Sequence, residues 1–181
     1  MVKKLGLIVA TSLFASPVLA ETYMDATWAQ KACNAWNASP VLTEQLVDVD
    51  VNENESGGYS WIKNDAKRGY KLIHMYRTKC GEASKIQLMI QKKGDKAMCV
   101  AAGKPDGKKM NMAVDYIMHA TDKNWACMGR SSFGCGAMGA MMSGKLKFKG
   151  PKVEAMKVMS PFGAFLKVSG SLPGDKASCP K

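Results

Sequence analysis

The amino-acid sequence predicts an α+β domain, a five-stranded, largely antiparallel sheet covered by helices. Three observations predict it. Between Tyr70 and Met118, apolar residues recur at every second position in four runs separated by turn residues, the period of strands with one buried face. Toward the two ends of the chain they recur three or four apart, the period of helices. Finally, Ser143–Val158 changes period within itself. Leu146 and Phe148 alternate with Lys145, Lys147 and Lys149, and Gly150 breaks the run. Pro151 suits a first helical position, where its missing N–H is of no consequence. Val153, Met156 and Met159 then recur three apart, widened by Ala155 and Val158. A short strand runs into a helix whose apolar side must fold back on it.

Residues 1–20 read as an export leader that is not part of the fold. Lys3 and Lys4 supply the positive start, Leu5–Phe14 the apolar stretch, and Val18-Leu19-Ala20 a cleavage pattern ahead of Glu21. The apolar stretch is too short to span a bilayer, which takes about 20 residues. On this reading the protein is exported, periplasmic or secreted, with a domain over residues 21–168 and a tail over 169–181. Two of the 26 Lys and Arg leave with the leader, so 24 face 15 acids and the mature charge is +9.

Met24, Trp28, Ala32 and Trp36 lie four apart and predict a helix over Thr22–Asn37, ended by Pro40. Both tryptophans read as core. A second short helix is expected over Leu42–Val47. The acidic run Asp48–Gly58 lacks the glycine and final glutamate of a calcium loop and reads as a solvated connection.

The four strand runs follow: Tyr70–Arg77, Lys85–Gln91, Lys96–Ala102 and Met110–Met118. Lys93-Gly94-Asp95 and Pro105-Asp106-Gly107 mark the turns, and short turns between successive strands predict an antiparallel meander. His74 sits on an apolar strand face and reads as structural. Thr121 is a predicted N-cap with Asp122 in the first turn, and Gly129 ends that helix. Ser131–Met142, with Phe133, Met138, Met141 and Met142 among glycines, reads as a loop, and it lacks the G-x-x-x-x-G-K-[ST] pattern of a phosphate cradle. Ser160-Pro161 opens a last short helix carrying Phe162, Phe165 and Leu166.

Cys33, Cys80, Cys99, Cys127, Cys135 and Cys179 all follow the leader, an even number suited to disulfides in an oxidising compartment. Six cysteines allow 15 pairings, and spacing selects none. With no C-x-x-C and two histidines, zinc, thioredoxin-like and c-type haem chemistry lack their signatures, so neither metal nor cofactor is expected. The basic charge of an exported chain reads as a lysine surface or an attraction to anionic headgroups, with no nucleic-acid partner expected.

The phrase Gly144-Lys145-Leu146-Lys147, with Gly150 and Ala155-Met156-Lys157, resembles the closing segment of the sterol carrier protein type 2 family, small lipid-transfer domains. Trp28-Ala-Gln-Lys-Ala-Cys-Asn-Ala-Trp-Asn-Ala-Ser-Pro looks like the opening helix of its stand-alone bacterial members, and the order of elements over Met24–Leu166 is similar. The chain departs from the family in its acidic insert, its Gly- and Met-rich loop and its six cysteines. The resemblance implies a non-catalytic, exported bacterial-type domain that binds, and transfers, a sterol, fatty acyl chain or similar molecule in an apolar tunnel between sheet and helices. If that topology holds, the lining is expected from Met112, Met118, Trp125, Met128, Phe133, Met138, Met141, Met142, Leu146, Phe148, Met156, Met159, Phe162 and Phe165. Lys147, Lys152 and Lys157 would sit outside and steer transient contact with an anionic membrane. The same methionines also suit a plain core, which leaves open a disulfide-stapled interaction protein without ligand. A thiol-redox enzyme is the remaining alternative, and serine hydrolysis lacks its G-x-S-x-G elbow.

Overall fold

The structure, a computed structural model of the chain, describes residues 21–48 and 60–181. The expected leader, and the acidic connection beyond Asp48, lie outside the described residues. The strands are β1 (Lys71–Arg77), β2 (Ile86–Lys93), β3 (Lys96–Gly103), β4 (Tyr116–Ala120) and β5 (Lys147–Lys149), in the order β3-β2-β1-β4-β5. Ile73, Met75, Leu88, Ile90, Tyr116 and Met118 alternate onto one face and enter the main core. β5 is a three-residue edge strand with Lys147 and Lys149 exposed, which blunts that edge against further pairing.

The first three strands form the expected meander, but the fourth does not continue it. β4 lies beside β1 and parallel to it, with Ile73 opposite Tyr116 and Met75 opposite Met118, so the sheet is mixed. The alternation over Met110–Val114 is therefore not strand; it belongs to the twelve-residue crossing 104–115, long enough for a parallel return. Asp115 decides the outcome. Fully buried, it accepts two bonds from the Arg68 guanidinium at 2.7 and 2.9 Å and one each from the Leu72 and Asn111 amides, both at 2.8 Å. These bonds pin the end of the crossing to the start of β1. The crossing also covers the outer face of the sheet, where Gln87 donates to Asp106 and His74 is buried 3.0 Å from Gln87.

The helices are α1 (Ala26–Asn37), α2 (Pro40–Thr43), α3 (Gln45–Asp48), α4 (Asp122–Gly129), α5 (Ala137–Met142), α6 (Lys152–Lys157) and α7 (Met159–Ser171). α1 starts later than the apolar spacing suggests because Asp25 caps it, accepting from the Trp28 amide at 2.8 Å. Its buried face holds Trp28, Ala32 and Trp36 as expected, and the Trp36 indole donates to the Ala97 carbonyl of β3 at 2.8 Å. Thr121 caps α4 as predicted. α5 occupies the stretch expected to be a loop: its glycines mask a run of Ala and Met that are good helix formers.

α6 buries only part of the apolar stripe expected of it. Val153 and Met156 are exposed, while Glu154, Ala155 and Val158 are buried. Glu154 dictates this, because its carboxylate reaches the Lys71 ammonium at 2.6 Å inside the core. The last helix is also longer than expected, running on to Ser171, and it crosses α4 in backbone contact. A Cβ added at Gly170 would lie 2.0 Å from the Trp125 carbonyl oxygen, and one at Gly129 would lie 2.2 Å from the Gly170 carbonyl carbon. All six cysteines are paired: Cys33–Cys99 ties α1 to β3, Cys80–Cys179 ties the tail to the end of β1, and Cys127–Cys135 closes the loop after α4. Arg77 also holds the tail, donating to the Lys176 and Ser178 carbonyls at 2.6 Å.

Candidate functional site

Between the inner face of the sheet and the helices lies an apolar cavity of about 30 Å³. Its walls come from α1 (Trp36), α2 and α3 (Leu42, Leu46), the short turn at Trp61, β4 (Tyr116, Met118), α6 and the Val158 joint (Ala155, Val158) and α7 (Pro161, Phe162, Phe165). A chain of aromatic rings runs along its wall. Centroids lie 5.5 Å apart for Phe165–Trp36, 6.3 Å for Trp36–Trp61, 5.9 Å for Trp61–Tyr116, 5.5 Å for Tyr116–Phe148 and 5.8 Å for Phe148–Phe162. Phe162 and Phe165, one helical turn apart, bring both ends of the chain to α7.

One pole of this cavity is polar. The Trp61 indole donates to the Tyr116 oxygen at 2.8 Å, and the Tyr116 hydroxyl donates to Glu154. The Lys71 ammonium donates to Glu154 at 2.6 Å and to the Trp61 carbonyl at 3.2 Å, and lies 4.3 Å from the Trp61 ring centre. Asn64 donates to the other Glu154 oxygen. Burial pushes the Lys71 ammonium down to about 8, opposed by the Glu154 charge. Burial, with Glu154 adding to it, drives the Tyr116 hydroxyl well above its ordinary range. The network thus fixes two of the aromatic walls and leaves the rest of the lining apolar.

A second space, an open groove of about 530 Å³, runs between α5, β5 and α6. Met138, Met141, Met142, Leu146, Phe148 and Met156 line it, with Lys147 and Lys152 at its rim. Phe148 stands between the two spaces: it lines the groove, and its ring touches Tyr116 and Phe162 of the cavity wall.

The residues expected to line a tunnel therefore divide. Met118, Phe162 and Phe165 meet at the cavity. Met138, Met141, Met142, Leu146, Phe148 and Met156 meet at the groove. Trp125 and Met128 are buried in the core on α4, and Met159 is half-buried at the start of α7. Phe133 stands fully exposed, and Met112 lies exposed in the crossing. Among the cavity residues that sequence reasoning did not assign to the site, Leu42 and Leu46 carry a visible four-residue spacing. Trp61 sits in a stretch too short for any period. Lys71 and Glu154, 83 residues apart, carry no local signal at all. Among the described residues, no group of three or more His, Cys, Asp or Glu is placed to hold a metal ion.

The arrangement defines an α+β domain with an aromatic-walled apolar cavity and an adjoining methionine groove. No protein-family model matches the chain, and no curated protein matches it. Among solved structures it is similar to the crystal structure of sterol carrier protein 2, with 14% identity and a TM-score of 0.46, over 83% of this chain and 98% of that one. It is also similar to the solution structure of a conserved hypothetical protein from Thermus thermophilus, provisionally described as a sterol carrier protein. That pair shares 12% identity with a TM-score of 0.42, over 87% of this chain and 96% of that one.

Proposed function

We propose that the protein binds a lipid, non-catalytically, in the space between sheet and helices, and passes it to or from a membrane. The observation that carries this reading is the set of aromatic side chains lining an apolar void, drawn from α1, β4, the Trp61 turn and α7. Each methylene transferred from water into such a space gains about 0.8 kcal/mol. A dozen therefore give useful affinity after the entropy of ordering the chain is met. The void of about 30 Å³ has room for a water or two and not for a lipid chain. Occupancy therefore needs Phe162 and Phe165 to move outward with α7, and the groove beyond Phe148 supplies apolar surface for an emerging chain. The resemblance over Gly144–Lys157 supports the same reading. The three disulfides suit the exported, oxidising setting it assumes.

The small volume of the void favours a second reading, an interaction protein with a solid core. Titration of delipidated protein with a fluorescent fatty acid, together with mass spectrometry of copurifying lipid, separates the two. Saturable binding is expected for wild type, and loss of it for Phe165→Asp, which places an unpaired charge in an apolar wall. Phe165→Leu controls for folding and is expected to retain binding. Wild-type protein that takes up no fatty acid and carries no lipid would establish the solid core.

A further inference from the structure

Seven large apolar side chains stand exposed among the described residues, and five of them, Phe133, Met138, Met142, Val153 and Met156, fall between residues 133 and 156. They are not scattered. The Cys127–Cys135 disulfide closes the loop that carries Phe133. That loop rests on α5 and on the approach to β5: a Cβ added at Gly139 would meet the Gly134 carbonyl at 3.0 Å, and one at Gly134 would lie 4.0 Å from the Lys145 ammonium. Met138 and Met142 on α5 then face Met156 on α6 across the groove. Phe133 is fully exposed at the tip of a stapled loop, Met142 is 80% exposed and Val153 70%, which marks a surface built to be covered.

The charge around it has one sign. Between Lys123 and Gly174 the chain holds eight Lys and Arg and a single acid. That acid, Glu154, is buried against Lys71 and neutralises nothing at the surface. Lys147, Lys149 and Lys152 are exposed beside the groove, and Lys145 donates to the Ser143 hydroxyl at its end.

We propose that this face, formed by the stapled loop tip, α5, β5 and α6, docks on a bilayer that carries anionic headgroups. Phe133, Met142 and Met156 enter the interfacial layer while the surrounding lysines meet the lipid phosphates. Long lysine stems lie along apolar surface with their charge in the headgroup region, which an interface of this composition rewards. Flexible methionines accept a fluid partner without a fixed contact pattern. Because Phe148 separates the groove from the cavity, docking here brings the membrane to the wall of the void. In that sense the inference deepens the lipid-binding reading and rests on it, although docking itself is measured without any ligand in the void.

Cosedimentation with phosphatidylcholine vesicles, with and without phosphatidylglycerol, tests it. Binding is expected only with the anionic lipid and is expected to weaken as salt is raised. Lys147→Gln and Lys152→Gln are each expected to weaken partitioning about fivefold. The paired substitution Lys92→Gln/Lys93→Gln, on the distant β2–β3 hairpin, is expected to leave it unchanged. Phe133→Trp should bind with its indole quenched by brominated-chain phospholipid. No binding to anionic vesicles overturns the proposal and leaves the face to a protein partner. An equal loss from the hairpin variant overturns it as general charge attraction, and an unquenched Phe133→Trp overturns the insertion. Vesicle binding without fatty-acid uptake would sink the lipid-binding reading and leave docking standing, and uptake without vesicle binding would do the reverse.

Discussion

The Glu154→Gln substitution tests whether a buried charge pair holds the aromatic walls in place. Glu154 is 5% exposed and Lys71 not at all. The glutamate receives three donors, from Lys71, Tyr116 and Asn64. Replacing its charge leaves the Lys71 ammonium, over two aromatic rings, with neutral acceptors alone, the glutamine oxygen and the Trp61 carbonyl at 3.2 Å. Breaking a buried pair from one side costs about 3–5 kcal/mol, because the other charge stays desolvated without a partner. Against a total of about 5–15 kcal/mol for a domain, that is a large share. Removing both charges, in Lys71→Met/Glu154→Gln, is expected to cost at least about 2 kcal/mol less than the two single losses added together, the coupling of residues in one network. Urea unfolding followed by tryptophan fluorescence measures all four corners of the cycle. A single-variant loss below about 1 kcal/mol, or additivity within about 0.5 kcal/mol, would refute the reasoning.

Two further outcomes follow from the packing and the charges. The Arg77 hydrogen bond, with Lys79 assisting, holds the Asp122 carboxyl below its ordinary value of 3.8. Its contribution to stability is therefore complete above pH 3.8 and is lost as pH falls through the lower folded value. Acid titration of the thermal midpoint should show a steeper fall for wild type than for Asp122→Asn, and parallel curves would exclude the linkage. Gly170→Ala would place a Cβ 2.0 Å from the Trp125 carbonyl, so α7 must move off α4. A destabilisation of about 3 kcal/mol is expected, and a neutral result in urea unfolding would show that the crossing yields without strain.

How much of this was legible in the sequence depends on how far each cause reaches along the chain. The buried face of α1, the alternation of β1 to β3, the Thr121 cap and the even number of cysteines follow from spacing and local chemistry, because each side chain acts on neighbours within a turn or across a short hairpin. The position of β4 does not. Its apolar alternation is as good as that of β2, and what sends it alongside β1 is Asp115 meeting Arg68, 47 residues earlier. The face of α6 is likewise set from a distance. Val153 and Met156 belong to the apolar stripe, yet satisfying the carboxylate of Glu154 against Lys71 turns both of them to solvent. The same rotation places Met156 in an exposed groove and Ala155 on the cavity wall. The apolar composition of the later half was therefore readable from residues alone. Its division into an inner void and an outer face was settled only when one buried ion pair closed, because a charge left unpaired in the core outweighs the exposure of two apolar side chains.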